Sequence, residues 1–114
     1  MSQTTFEAVA EPARRRILDL LLAGERPVGA LVTELMMSQP AVSRHLRVLR
    51  DAGLVTARTD AQRRLYRIEP GPFAALDGWL RPYRRMWAAS LDALAEHLDT
   101  MTDDDLEEDL DDHR

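Results

Sequence analysis

The chain of 114 residues contains no cysteine, no lysine and no asparagine. Without cysteine there is no disulfide framework, no thiolate metal site and no thiol redox switch. Without lysine, arginine carries all 15 formal positive charges, a bias consistent with a GC-rich coding sequence. No apolar run approaches the roughly 20 residues that a membrane span requires. The longest, Ile17 to Ala23, is interrupted by Asp19. Met1 to Glu11 has no basic-then-apolar leader, so the cytoplasm is the expected compartment. There is no His-Glu-x-x-His, no Gly-rich phosphate loop and no Gly-x-Ser-x-Gly, and the three histidines are scattered. Of the function classes weighed, an enzyme is therefore the weakest.

What is present fits one compact domain. The composition is 45% apolar and 31% charged, ordinary for a globular protein of this length. The net charge of −5 argues against nucleic acid until its distribution is considered. Residues 1–85 hold 14 arginines against 9 acids, and residues 86–114 hold 1 arginine against 11. A basic body with an acidic tail raises nucleic-acid binding as a hypothesis.

Thr4 or Thr5 can cap a short helix to about Ala10, and Pro12 opens a second that Gly24 ends. Ile17, Leu18, Leu21 and Leu22 form its apolar stripe. Arg26-Pro27 starts a new unit, with Val28, Leu31, Val32 and Leu35 on one face of a short helix. After a break at Met36-Met37, Ser38 is a good N-cap and Pro40 falls in the first turn. The helix from Gln39 to Ala52 buries Val42, Leu46 and Leu49, and Gly53 stops it. Leu54 to Arg58 and Arg64 to Ile68 read as the strands of a hairpin, with a polar tip from Thr59 to Arg63. Beyond Pro70-Gly71-Pro72 a long helix runs to about Leu98, kinked at Pro82. Its apolar residues are Leu76, Leu80, Tyr83, Trp87, Leu91, Leu94 and Leu98. From Asp103 to Asp112 eight of ten residues are acidic, which reads as a solvated, disordered tail. Residues 1–100 are thus expected to form one folded domain, with 101–114 as its tail.

The fold class expected is mainly α with a small β-hairpin, a winged helix-turn-helix of order α-α-α-α-β-β-α. Once Val42, Leu46 and Leu49 face the core, Gln39, Ser43, Arg44, Arg47 and Arg50 remain outward, and no acid occurs between Ser38 and Arg50. Arginine can grip guanine with two hydrogen bonds, and glutamine adenine. Alone, that face is equally an arginine-rich solvated surface. The hairpin shifts the balance, because Arg58, Arg63, Arg64 and Arg67 collect there with Gln62 at the tip. Only Asp60 and Glu69 oppose them in that stretch. Basic helix and basic ribbon together suit duplex phosphate backbone. The candidate DNA-binding set is Ser38, Gln39, Ser43, Arg44, Arg47, Arg58, Gln62, Arg63 and Arg64.

The stretch Met37-Ser38-Gln39-Pro40-Ala41-Val42-Ser43-Arg44-His45-Leu46, continuing to Gly53-Leu54-Val55, resembles the ArsR/SmtB family of bacterial repressors. Glu11-Pro12-Ala13-Arg14-Arg15-Arg16-Ile17-Leu18 and Arg63-Arg64-Leu65-Tyr66-Arg67-Ile68 resemble its second helix and its wing, so the likeness spans about Phe6 to Leu98. It implies a homodimer joined through first and last helices, and repression of a nearby operon relieved by a ligand or modification. The chain departs from the family's metal sensors. It lacks their cysteines, thioether sulfur at Met36 and Met37 is a poor substitute, and His97 is the lone histidine of the last helix. No metal or other cofactor is expected, and the chain resembles the branch without metal ligands.

Trp79, Leu80, Tyr83, Trp87, Leu91 and Leu94 are candidate dimer contacts because the last helix is longer than a domain of this size can cover. Phe6 and Val9 join them because the resemblance implies that the first helix takes part. The competing reading of its aromatics is monomer core, and a small-molecule pocket beside them stays open. The competing function is a dimeric winged-helix protein-interaction module without specific DNA binding.

Overall fold

The computed structural model describes residues 3–100; the acidic tail read from the sequence lies outside them. The elements follow as α1 (Gln3–Ala10), α2 (Pro12–Leu22), β1 (Arg26–Pro27), α3 (Val28–Leu35), α4 (Gln39–Asp51), β2 (Val55–Asp60), β3 (Arg63–Ile68) and α5 (Pro70–Thr100). The helical class and the wing are those expected from the sequence. The sheet has one strand more, since β1 pairs antiparallel with β3 to give the order β1-β3-β2. Proline is tolerated in β1 because that strand is an edge.

The described residues divide within α5 into two compact units, the boundary falling between Gly78 and Trp79. The first holds the core. Ile17, Leu18 and Leu21 of α2, Leu31 and Leu35 of α3, and Val42, Leu46 and Leu49 of α4 are buried together with Leu54, Val55 and Tyr66. Three helices thus turn their apolar stripes toward one another and toward one face of the sheet. Thr5, read as a cap, is instead buried inside α1, which begins earlier, at Gln3.

The junctions explain why the helices stop where they do. α1 is closed from outside: Arg14 donates to the carbonyls of Glu7 and Ala8 at 3.0 and 2.7 Å. Arg15 donates to those of Val9 and Ala10, both at 2.9 Å. These are the four carbonyls that a helix leaves unpaired at its C-terminus, and two guanidinium groups also suit the negative end of its dipole. α2 starts at a Glu11 cap whose carboxylate accepts from the Ala13 N–H at 3.3 Å. α4 ends in a Schellman motif, with Leu54 N–H donating to Leu49 and Gly53 N–H to Arg50, both at 2.9 Å. Gly53 supplies the left-handed φ of 76° that this closure needs.

The second unit is the remainder of α5, from Trp79. The helix continues through Pro82, and no residue of α5 is buried. Trp79 and Tyr83 pack with ring centroids 4.9 Å apart. Trp79, Tyr83, Trp87, Leu91, Leu94 and Leu98 are all between 45% and 65% exposed. No helix among the described residues is long and apolar enough to cross a membrane.

Candidate nucleic-acid interface

The helix-turn-helix is α3 and α4 joined through Met36, Met37 and Ser38. Met36 takes the left-handed conformation, φ 56° and ψ 39°, and reverses the chain. Ser38 then caps α4, its Oγ accepting from the Ala41 N–H at 3.3 Å, and Pro40 sits in the first turn, where no N–H is needed. Burial of Val42, Leu46 and Leu49 fixes the helix rotation. That rotation leaves Ser38, Gln39, Ser43, Arg44, Arg47 and Arg50 exposed. No ion pair engages Arg44, Arg47 or Arg50 among the described residues. The face is therefore positive and uncompensated.

His45 is set apart from that face. It is half-buried, with Nδ1 3.4 Å from Nη1 of Arg14, the same arginine that closes α1.

The wing is tighter than its sequence indicates. Asp60 pairs directly with Arg63, so the turn is only Ala61-Gln62 rather than the five-residue tip expected. Ala61 supplies the positive φ, 56°, that such a turn demands. Gln62, Arg63 and Arg64 are consequently exposed at the end of the hairpin.

The wing arginines differ in their engagements. Arg58 Nε donates to both carboxylate oxygens of Glu25, at 3.1 and 3.0 Å, and its Nη2 also donates to Oε1. Sequence reasoning did not count Glu25 against the wing. It lies 33 residues from Arg58, and only the folded chain brings them together. The hydrogen bond from Arg58 holds the Glu25 carboxyl below its usual range, and its counterpart raises Arg58. Arg67 lies against the wing's own strands, donating to Thr56 Oγ1 at 3.3 Å with Glu69 at 3.7 Å. Arg63 has only a loose, exposed pair with Asp60 at 3.8 Å. Arg64 lies over the Tyr66 ring, 5.8 Å from its centroid, with no carboxylate in ion-pair range among the described residues. Arg63 and Arg64 are therefore the wing cations most available to a partner.

The candidate dimer contacts fall in both units. Phe6 is 39% exposed and Val9 half-buried against the core of the first unit. Trp79, Tyr83, Trp87, Leu91 and Leu94 are exposed and Leu80 half-buried in the second. No cluster of three or more His, Asp or Glu side chains that could hold a metal occurs among the described residues.

Comparison with known proteins places this geometry in a family. Residues 11–57, from the α2 cap through α3 and α4 into β2, match the sequence model described as bacterial regulatory protein, arsR family. HTH-type transcriptional regulator Rv2034 of Mycobacterium tuberculosis is 39% identical over 99 residues, covering 87% of this chain and 90% of the relative. Transcriptional repressor SdpR of Bacillus subtilis is 35% identical over 57 residues, covering 50% of this chain and 63% of the relative. The solution structure of the homodimeric winged helix-turn-helix DNA-binding domain Mb0332 of Mycobacterium bovis superposes with a TM-score of 0.58 at 35% identity. It covers 86% of this chain and 82% of that one. With its capped α4, its wing and a match across nearly the whole length of a regulator, the chain belongs to the arsR family of bacterial regulatory proteins.

Proposed function

We propose that the chain is a homodimeric transcriptional repressor that binds an inverted-repeat operator in double-stranded DNA, acts by binding rather than by catalysis, and needs no metal. The observation that carries this reading is the outer face of α4, where Arg44, Arg47 and Arg50 are exposed and without ion pairs among the described residues. A merely solvated helix face gains stability from ion pairs with carboxylates four residues away; here the one such carboxylate on α4, Asp51 beyond Arg47, forms no ion pair among the described residues. The residues next to its N-terminus, Gln39, Ser43 and Arg44, reach base edges in the major groove. Arg47, one turn on, meets a base or a phosphate. Ser38 fixes the helix start, and Arg63 and Arg64 with Gln62 hold phosphate or minor groove. Arg58 contributes less, since Glu25 already neutralises it.

Dimerisation supplies the second reading helix, and two such helices enter successive major grooves about 34–36 Å apart. Its support is the exposed apolar stripe of α5, together with the homodimeric state of the Mycobacterium bovis domain. In this reading residues 1–100 form the DNA-binding and dimerisation domain, 101–114 are an acidic tail, and the site of action is the cytoplasm.

The test is binding to operator and to scrambled DNA across a salt series. Arg44→Ala costs about 1–3 kcal/mol per half-site and relaxes selectivity at one base position. Arg63→Ala weakens both DNAs evenly and reduces the salt slope by roughly one. An unchanged operator-to-scrambled ratio in Arg44→Ala would refute the assignment of the reading face. A protein without operator preference would leave only a protein-interaction module.

A further inference from the structure

The first unit contains a cleft of about 610 Å³ that neither the reading face of α4 nor the wing uses, although Val9 on its wall is also a candidate dimer contact. Its walls are apolar, with Leu18 and Leu22 from α2, Ile68 from the end of β3 and Phe73 from the start of α5. The volume lies in the range of small-molecule sites, about 300–1,000 Å³. Leu22 is 78% exposed although it follows the helical stripe that the rest of α2 buries. It faces space that the chain does not fill.

Two polar groups line the same cleft, Arg15 and Asp19. They lie one turn apart on α2, a spacing that normally lets such side chains meet, yet no ion pair joins them. The reason is visible at Arg15. Its Nη1 is held by the carbonyls of Val9 and Ala10 at 2.9 Å, which turns the guanidinium toward α1. Nε and Nη2 of Arg15 have no hydrogen-bond partner among the described residues, and neither does the Asp19 carboxylate. α2 therefore offers the cleft donors at Arg15 and an acceptor at Asp19, one turn apart, with no net charge.

We propose that this cleft binds a neutral amphiphile, an alkyl or aromatic body bearing one hydroxyl or amide that accepts from Arg15 and donates to Asp19. A carboxylate would satisfy Arg15 but face Asp19; an ammonium would do the reverse. Either charged head group also loses hydration on entering apolar walls. A neutral group that both donates and accepts fits both partners. Every lining residue belongs to the first unit, and none is on the reading face of α4.

The test uses the full chain without DNA, so it stands or falls separately from the operator experiment. 1-Octanol, octanoate and octylamine share one body and differ in head group. Titration calorimetry with methyl NMR of Leu18, Leu22 and Ile68 reports stoichiometry and place. 1-Octanol saturates at one molecule per chain, shifts these methyls and binds about tenfold more tightly than either charged analogue. Leu22→Glu, at an exposed position, weakens it at least tenfold while circular dichroism stays unchanged. Asp19→Asn narrows the gap between octanol and octanoate. Absence of saturable binding, as when a second copy covers the cleft, overturns the proposal. So does binding indifferent to both Leu22→Glu and Leu76→Glu, and so does preference for a charged analogue.

Discussion

The two units of this chain use the same kind of apolar helix face to opposite ends. In α4, Val42, Leu46 and Leu49 recur at helical spacing and are fully buried. In α5, Tyr83, Trp87, Leu91, Leu94 and Leu98 recur at helical spacing and are exposed. Among the described residues, every buried apolar side chain lies between Ala8 and Tyr66. Periodicity identifies a face that avoids water and does not say what covers it. The first unit buries the stripe of α4, whereas the second leaves its stripe exposed; in the proposed dimer an identical partner covers that stripe and generates the two-fold symmetry that an inverted repeat demands.

Two substitutions separate these roles. Leu46→Ala leaves a cavity in the first unit and costs about 2–5 kcal/mol of folding stability, read as a lowered denaturation midpoint. Trp87→Glu leaves the fold of the first unit intact and acts on assembly. As an aromatic anchor it is worth about 2 kcal/mol or more, so sedimentation shows monomers and operator binding is lost. A Trp87→Glu chain that sediments as a dimer would remove Trp87 from the interface and erase the contrast between the units.

The smallest effect lies within the first unit, between Glu25 and Arg58. Hydrogen bonding to Arg58 lowers the Glu25 carboxyl from its ordinary 4.5. The pair's contribution is therefore present above that ordinary value and disappears as pH falls through the lower folded one. The pair is exposed, and solvent screens it. Between pH 7 and pH 3 the wild type loses a small increment of thermal midpoint that Glu25→Gln lacks. Parallel curves would mean that the pair contributes nothing.

How much of this was legible depended on the range of each interaction. Around α4 the signals are local: a Ser38 cap, a proline in the first turn, a 4-3 apolar spacing and a terminal glycine. Those residues sufficed to place its start, its buried face and its exposed arginines. The wing was harder. Alanine is a poor marker of a left-handed turn, so Ala61 concealed a two-residue connection inside what reads as a polar tip. β1 is two residues long and contains a proline, below what any periodicity can detect. The Glu25–Arg58 pair and the apolar cleft require α2, β1, β2, β3 and the start of α5 to be assembled first. No spacing within a single element encodes either.

One consequence of the α1–α2 junction concerns the order in which the chain acquires structure. An isolated helix needs about 12–15 residues to be even marginally stable in water, and α1 has eight. Its four terminal carbonyls are satisfied by Arg14 and Arg15 of the next helix. Those two side chains take up their positions only once α2 is formed. The helicity of α1 is therefore conditional on its neighbour, and nucleation belongs to α2 and the segments that follow. α1 forms late and opens early, and slow hydrogen exchange along it reports the integrity of α2 rather than any propensity of its own.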